Sequence, residues 1–389
     1  MSRRIPVNVI KYVIILAISE YFIKQLPIPY EGGTMIHEQL VITLPQIAVI
    51  MSTVTILGFA LQYFCSILAD KYGRRLAWAI SLFLFGGGMV LMALATSYRM
   101  AFIASIPWGV STAFAWTSVA WLFDHEGKEG LKTAYGLIYI VSVLSIVAGM
   151  EIALKGESSP RMVIVSTGVI ALVLGGWVMT FPENYGNRSS SWLEIAKTGI
   201  RQVMSRRILQ LIVLYSLFTA PTVSAAGMSQ FYLEEKFVFS FNEIVQSYEI
   251  VFYISIVAAL FAGITVLVLG KPDYRKLAVY PAVFMGVSYV LLPLAPTVSL
   301  FYILKGGCSF FSLITTAGIM ILINDSILEN RATTLTFVLM LGGFSKVSGH
   351  LWTMYFDSQR WEILFLISGV LAMTAVLFLF WAVKLHEKQ

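Results

Sequence analysis

The sequence predicts an all-α polytopic membrane protein with twelve transmembrane helices in two six-helix halves. Three observations predict it: a deficit of charge, apolar runs of spanning length that recur along the chain, and a one-sided distribution of basic residues. Only 12% of the 389 residues are charged and 58% are hydrophobic, with a mean hydropathy of +0.80. A soluble domain carries about 25% charged residues. Twelve helices of ~20 residues use ~240 residues, and the rest is needed for connections. A water-soluble enzyme and a disordered or fibrous chain are both excluded.

The apolar runs fall at about 9–28, 42–66, 76–96, 100–123, 133–154 and 161–181, then 208–232, 244–268, 277–296, 298–323, 333–355 and 361–384. Arg3 and Arg4 before the first run mimic a secretory signal. No small-residue cleavage site follows, and Glu20 and Lys24 interrupt the run, so a retained first helix is expected. Trp108, Trp116 and Trp121 lie in the fourth span. Trp121 is expected in the interfacial aromatic belt and Trp116 facing a cavity. The seventh span, with Thr219, Pro221, Thr222, Ser224, Gly227 and Gln230, is expected to break. It then either exposes backbone groups to a solute or forms a kink satisfied by its neighbours. Pro293 and Pro296 mark a turn between the ninth and tenth spans.

With twelve spans both termini share a side. Nineteen Lys and Arg residues fall on that side and five (Arg99, Lys155, Arg161, Lys236 and Arg360) on the other. Basic residues concentrate in cytoplasmic loops, so both termini are expected in the cytoplasm of a plasma-membrane protein. The same rule explains the net charge of +6 without nucleic acid, since no basic stripe with interleaved aromatics appears. The longest cytoplasmic connection, 182–207, separates a half at 1–181 from a half at 208–389, and its basic run suits the membrane surface. Cys65 and Cys308 lie far apart in apolar segments and read as small core residues, and no metal site or cofactor motif is found. Asn-X-Ser acceptors at Asn187 and Asn324 are on the cytoplasmic side and are discounted.

Between the second and third spans runs Ser66-Ile67-Leu68-Ala69-Asp70-Lys71-Tyr72-Gly73-Arg74-Arg75. This resembles the Gly-x-x-x-Asp-Arg/Lys-x-Gly-Arg-Arg/Lys loop of the major facilitator superfamily, with Ser66 in place of the leading glycine. Gly270 to Lys276 is a degraded echo in the second half, and Arg331-Ala332-Thr333-Thr334 is similar to a sequence common in that superfamily. The motif covers about ten residues and speaks to family rather than substrate. The resemblance implies a secondary transporter, and a cytoplasmic gate in which Asp70 meets the start of the eleventh helix and holds an outward-facing state. The residues suit this chemically: Asp70 is an anion fit for a positive helix N-terminus, and Arg74 and Arg75 can pair with Asp124. The alternative is that the arginines only anchor topology.

Ionisable residues inside a membrane are costly, about 2.5–3.5 kcal/mol each at the centre, and mark functional candidates. Here they are Glu20, Lys24, Glu249, Lys305, Lys346 and His350. At ~1.5 Å per residue, all but His350 fall ~16–22 Å from the cytoplasmic edge of a ~30 Å core. Glu20 and Lys24 are four apart, on one helical face: a self-neutralising pair, or a proton carrier beside a cation lent to an anionic solute. Glu249 is the plausible cross-helix partner of Lys346 and His350, again as a structural bridge or a working one. Lys305 precedes Gly306, Gly307, Cys308 and Ser309, small residues expected to leave space around it, and the resemblance puts the tenth helix along the central cavity.

The expected activity is movement of a small solute by alternating access, proton-coupled through Glu20 or Glu249, by a monomer without cofactor. Three lysines against two carboxylates tilt the solute toward an organic anion or zwitterion. Drug/proton antiport is the alternative, although the fifth-span signature of such antiporters is missing. A lipid-translocating protein is an alternative of another class. An intramembrane enzyme lacks a nucleophile–base or metal cluster, since the four histidines lie in unrelated places, and no phosphate-binding Gly-x-x-x-x-Gly-Lys-Ser/Thr loop supports ATP-driven transport.

Overall fold

The computed structural model describes residues 5–22, 44–114, 116–155, 160–182, 184–238, 241–269, 273, 275–341 and 361–386. Its elements, in chain order, are α1 (Val7–Leu16) with a π-helical continuation Ala17–Phe22, α2 (Leu44–Tyr72), α3 (Arg74–Leu94) and α4 (Tyr98–Thr112). There follow α5 (Thr117–Lys155), α6 (Pro160–Val178), α7 (Trp192–Val203), α8 (Arg206–Phe237) and α9 (Phe241–Val268). The chain continues with α10 (Tyr280–Leu291), entered by a π-helical turn, and α11 (Val298–Ser326). The last two helices are α12 (Arg331–Leu341) and α13 (Trp361–His386).

Eight stretches of the described residues are long and apolar enough to cross a membrane, and one of them, Tyr98–Ala148, holds the fourth and most of the fifth expected span. The chain is a multi-pass helical membrane protein. The fourth, fifth and seventh spans depart locally from expectation. The fourth-span helix runs through Pro107 and ends at Thr112, and half-buried Trp116 stands just before α5 resumes the helix. The fourth and fifth spans are joined by a kink at Gly127 (φ 65°, ψ −163°) rather than a long loop, a backbone that glycine reaches without strain. The seventh span does not break: α8 stays helical through Pro221. The turn at Pro293 is a 3₁₀ turn, Leu292–Leu294.

The chain forms two compact units, one of Met1–Ala134, Val141–Ile200 and Ile327–Thr336, the other of Tyr135–Ile140, Arg201–Ser326 and Phe337–Gln389. In the first, α3 packs against α4 and α6, and α2 against α4, around Ile50, Val54, Phe85, Met89, Met92, Trp108 and Ile164. In the second, α10 packs against α11 and α13, α9 against α11, and α8 against α13.

The two units repeat local features at an offset of 200 or 201 residues. Ser97 Oγ accepts from Met100 N (3.4 Å) and Thr297 Oγ1 from Leu300 N (3.3 Å), each opening a helix. Gly86 on α3 meets Gly168 on α6, and Gly286 on α10 meets Gly369 on α13. Small residues let helix backbones approach where lipid removes the hydrophobic drive for packing. A Cβ on Gly168 would lie 2.7 Å from the Gly86 carbonyl oxygen, whereas nothing lies within 4 Å of one on Gly176. Gly168→Val is expected to cost about 1–3 kcal/mol by overpacking, read as a lower melting temperature, while Gly176→Ala leaves it unchanged.

Large apolar side chains such as Phe59 (44% exposed), Ile103 (61%), Val173 (65%), Phe261 (60%) and Leu377 (69%) point outward. In a spanning protein that outer surface belongs to lipid.

Candidate functional site

The loop after α2 is one residue long. Gly73 holds φ 120° and ψ 133°, a conformation L side chains rarely adopt, and the Asn184 side chain fills the space that a Cβ there would need. The segment after α6 straps this turn in place. Arg74 N donates to the Tyr185 carbonyl (2.9 Å), and Asn187 N to the Asp70 carbonyl (2.7 Å). Asn184 Nδ2 donates to the Tyr72 carbonyl (2.9 Å) while its Oδ1 accepts from Leu76 N (3.3 Å). Arg75 donates to the Phe181 carbonyl rather than pairing with Asp124. The expected carboxylate partner for Arg75 is thus replaced by a backbone acceptor. Ser66, at the motif's leading glycine position, is buried and turns its hydroxyl back onto the Tyr63 carbonyl (2.6 Å).

Asp70 is 2% exposed and fully occupied. Its Oδ1 takes Arg74 Nε at 2.8 Å and Ala332 N at 3.2 Å, and its Oδ2 takes Thr333 N at 2.7 Å. Ala332 and Thr333 are in the first turn of α12, which Asn330 opens with φ 44°. First-turn amides have no partner inside their own helix, and a carboxylate there also meets the positive end of the helix dipole. Asp70 therefore caps a helix whose start lies 262 residues further along the chain.

Asp124 completes the arrangement. It forms an ion pair with Arg74 and accepts from Arg331 Nε at 2.8 Å. The Arg331 guanidinium sits 4.2 Å from the centre of the Phe123 ring, a cation–π contact. Asp70, Arg74, Asp124 and Arg331 thus close a ring of two anions and two cations, completed by the backbone from Arg331 to Ala332. An open cavity of about 740 Å³ lies beside it, lined by Asp70, Arg74, Asp124, Asn184, Tyr185, Gly186, Asn187, Glu329 and Asn330. Sequence reasoning placed Asp70, Arg74 and Asp124 together, but missed Arg331 as the fourth member and the strap of Phe181, Asn184, Tyr185 and Asn187. Arg331 stood inside a quoted motif, so its signal was present; the strap has none.

Trp121, expected in the interfacial belt, is instead fully buried, in contact with Trp78, Phe181 and His125. It serves as packing beneath the ring, next to Asp124's turn of helix. Trp116 is half-buried at the break before α5.

The membrane-embedded candidates are less gathered. Glu20 is exposed on the π-helical stretch Ala17–Phe22. Lys24, Lys346 and His350 lie outside the described residues, as do the side chains of Glu249 and Gln230. Lys305 is 6% exposed and shares its helical face with Phe301 and Cys308, both buried. Phe301 stacks on Tyr232 (5.6 Å) and meets Phe365 edge-on, so this face of α11 looks into the core of its own unit. The space expected beside Lys305 lies elsewhere. Gly306 and Gly307 open an apolar groove of about 610 Å³ between α9 and α11, lined by Tyr253, Val257, Phe261, Tyr302 and Phe310 but not by Lys305. Among the described residues no three His, Cys, Asp or Glu side chains gather as metal ligands.

Comparison with known proteins bears on the fold. The human organic anion transporter MFSD10 (TETRAN) has a similar structure, with 12% identity over 96% of this chain and 98% of that one and a TM-score of 0.71. The E. coli fucose:proton symporter FucP matches at 12% identity, 96% and 97% coverage and a TM-score of 0.74. A bacterial homologue of the iron transporter ferroportin in its outward-facing state matches at 14% identity, 98% and 100% coverage and a TM-score of 0.71. At such identities these likenesses bear on fold alone. None of the curated proteins is similar enough in sequence to match. The profile of the Major Facilitator Superfamily matches residues 13–350. With its helical spans and the Asp70 loop set on the start of α12, the chain is a transporter rather than an enzyme, and it belongs to the major facilitator superfamily.

Proposed function

We propose that this protein is a proton-driven secondary transporter that moves a small organic anion or zwitterion by alternating access. The observation that carries the reading is the ring of Asp70, Arg74, Asp124 and Arg331. A buried carboxylate that caps a distant helix makes and breaks as a unit, because its bonds share one acceptor group. We read the ring as a cytoplasmic gate, closed here, whose opening exposes the solute path to the cytoplasm. The distribution of basic residues supports cytoplasmic termini and residence in the plasma membrane, where the chain works as a monomer.

Lys305 supports the choice of solute. Its face of α11 packs into the core of its own unit, so a solute reaches it only when that packing opens; a lysine there costs insertion energy, and a negative charge offsets that cost. Lys24 and Lys346 add positive charge at the depth expected from the sequence, Glu20 or Glu249 carries the proton, and Trp116, Gln230 and His350 are the further candidates for contact with the solute. Reconstituted protein tests this reading directly. Uptake of labelled organic anions into proteoliposomes, with and without a pH gradient, should be gradient-driven. Lys305→Ala, Lys346→Ala and Glu20→Gln should each lower it at least tenfold. Normal uptake by all three folded variants would reduce the layer to structural charge. Movement of labelled lipid headgroups in place of solute counterflow would identify lipid translocation instead.

A further inference from the structure

The α7 helix, Trp192–Val203, buries one face and exposes the other. Its start is self-capped: Glu194 N donates to Ser191 Oγ (3.1 Å) and Ser191 N to Glu194 Oε2 (3.3 Å), a reciprocal capping box. Ile195 and Val203 are fully buried. Ala196 accepts at its carbonyl from Tyr63 Oη (3.0 Å), and the Gly199 backbone lies against Thr333, the residue whose amide binds Asp70. Trp192 stacks on Phe64 of α2 (5.5 Å), and Phe64 is itself 53% exposed on the outward, lipid-facing side.

The opposite face is of another kind. Leu193 (63% exposed), Ile200 (44%) and Met204 (63%) form an apolar stripe at i, i+7 and i+11. Exposed Lys197 lies within the stripe and exposed Arg201 along one edge. From Arg188 to Arg207 the segment carries five basic residues, with Arg206 in the set, against one acidic residue, Glu194. Neither Lys197 nor Arg201 makes an ion pair among the described residues. An apolar stripe edged by cations, on a helix whose first residue stacks on exposed Phe64 of α2, has the form of a helix that lies in the membrane interface, with stems in the acyl boundary and charges at headgroup level. We propose that α7 is a binding site for anionic phospholipid headgroups of the cytoplasmic leaflet, with Lys197 and Arg201 as headgroup ligands and Leu193, Ile200 and Met204 as the inserted stripe.

The side assignment rests on the orientation given above; the lipid site itself stands whether or not the ring is a gate. Since the docked face bears on Tyr63 and Thr333, lipid bound to the outer face holds α7 against the start of α12.

The test uses the full-length protein in a neutral detergent, titrated with phosphatidylglycerol or with phosphatidylcholine of the same acyl chains. Retained lipid is counted by native mass spectrometry alongside the melting temperature. Phosphatidylglycerol should be retained at least tenfold better and raise the melting temperature. Lys197→Glu/Arg201→Glu should weaken its retention about tenfold or more, with no change in melting temperature in phosphatidylcholine, because both side chains are exposed. Leu193→Ser/Met204→Ser should weaken retention of both lipids. The proposal is overturned if the two lipids bind alike, if charge reversal leaves phosphatidylglycerol retention intact, or if inorganic phosphate at equal concentration reproduces the shift. A concentration-dependent dimer abolished by Leu193→Ser and untouched by lipid would assign the stripe to a second copy instead. Loss of lipid selectivity with normal transport, or loss of transport with lipid selectivity intact, separates this site from the gate.

Discussion

Asp70→Asn is expected to cut solute transport at least tenfold and to leave cysteines introduced on the cytoplasmic side open to labelling. The carboxylate accepts two backbone N–H groups at the start of α12 and the Arg74 guanidinium while almost wholly buried. Hydrogen bonds to a charged group are worth about 1.5–3 kcal/mol each. Asparagine has the same shape, but only one oxygen and a donor in place of the other. Wherever that donor points it faces another donor, an α12 amide or the guanidinium. Losing about 3 kcal/mol from one side of a two-state equilibrium changes its constant roughly a hundredfold. Folding should survive, because the strap of Asn184, Tyr185 and Asn187 holds the Gly73 turn through backbone atoms. Transport at the wild-type rate, with cysteine accessibility unchanged on both faces, would show that Asp70 is only a structural cap.

Much of this layout was legible in the sequence, and the illegible parts share a cause. Hydropathy gives the position and depth of a span because bilayer thickness fixes its length. That is why the apolar stretches Arg74–Leu94 and Val298–Ser326 fall near the expected third and tenth spans. The partnership of Asp70 with a helix start was legible from the motif and from the need of an anion for free amides. Hydropathy does not give the rotation of a helix about its axis. Lys305 could be placed at a depth, but only the structure turns it toward Phe301 and Cys308, with the small residues after it opening onto the α9–α11 groove. Trp121 was misread for the same reason: an aromatic residue at a span's end suits the interface or the packed core equally, and the neighbouring Phe181 and Trp78 decide for the core. The link from Arg331 to Asp124 joins residues 207 positions apart, and no local pattern encodes it.

Asp124→Ala is expected to disable the ring more severely than Arg331→Ala, although each removes the same Asp124–Arg331 bond. Asp124 serves two guanidiniums, Arg74 and Arg331, whose side chains keep 9% and 12% of their surface exposed. Without it Arg74 still holds Asp70 at 2.6 Å, whereas Arg331 loses the carboxylate that accepts from its Nε. Removing one partner of a buried pair leaves an uncompensated charge and is costed at about 3–5 kcal/mol. Solvent reaching the ring from the neighbouring cavity puts the expected loss at the lower end. Arg331→Ala deletes a cation instead and leaves Asp124 bound to Arg74, so a smaller loss of transport and of melting temperature should follow. A double-mutant cycle on Asp124 and Arg331 should return a coupling of about 1–3 kcal/mol. Arg331→Lys should not restore function, because an ammonium keeps the charge while giving up the planar contact with Phe123 and the fixed geometry of the Nε bond. Equal losses for Asp124→Ala and Arg331→Ala, or full rescue by Arg331→Lys, would mean that the ring acts only as a net charge, and the gate would then have to rest on Asp70 alone.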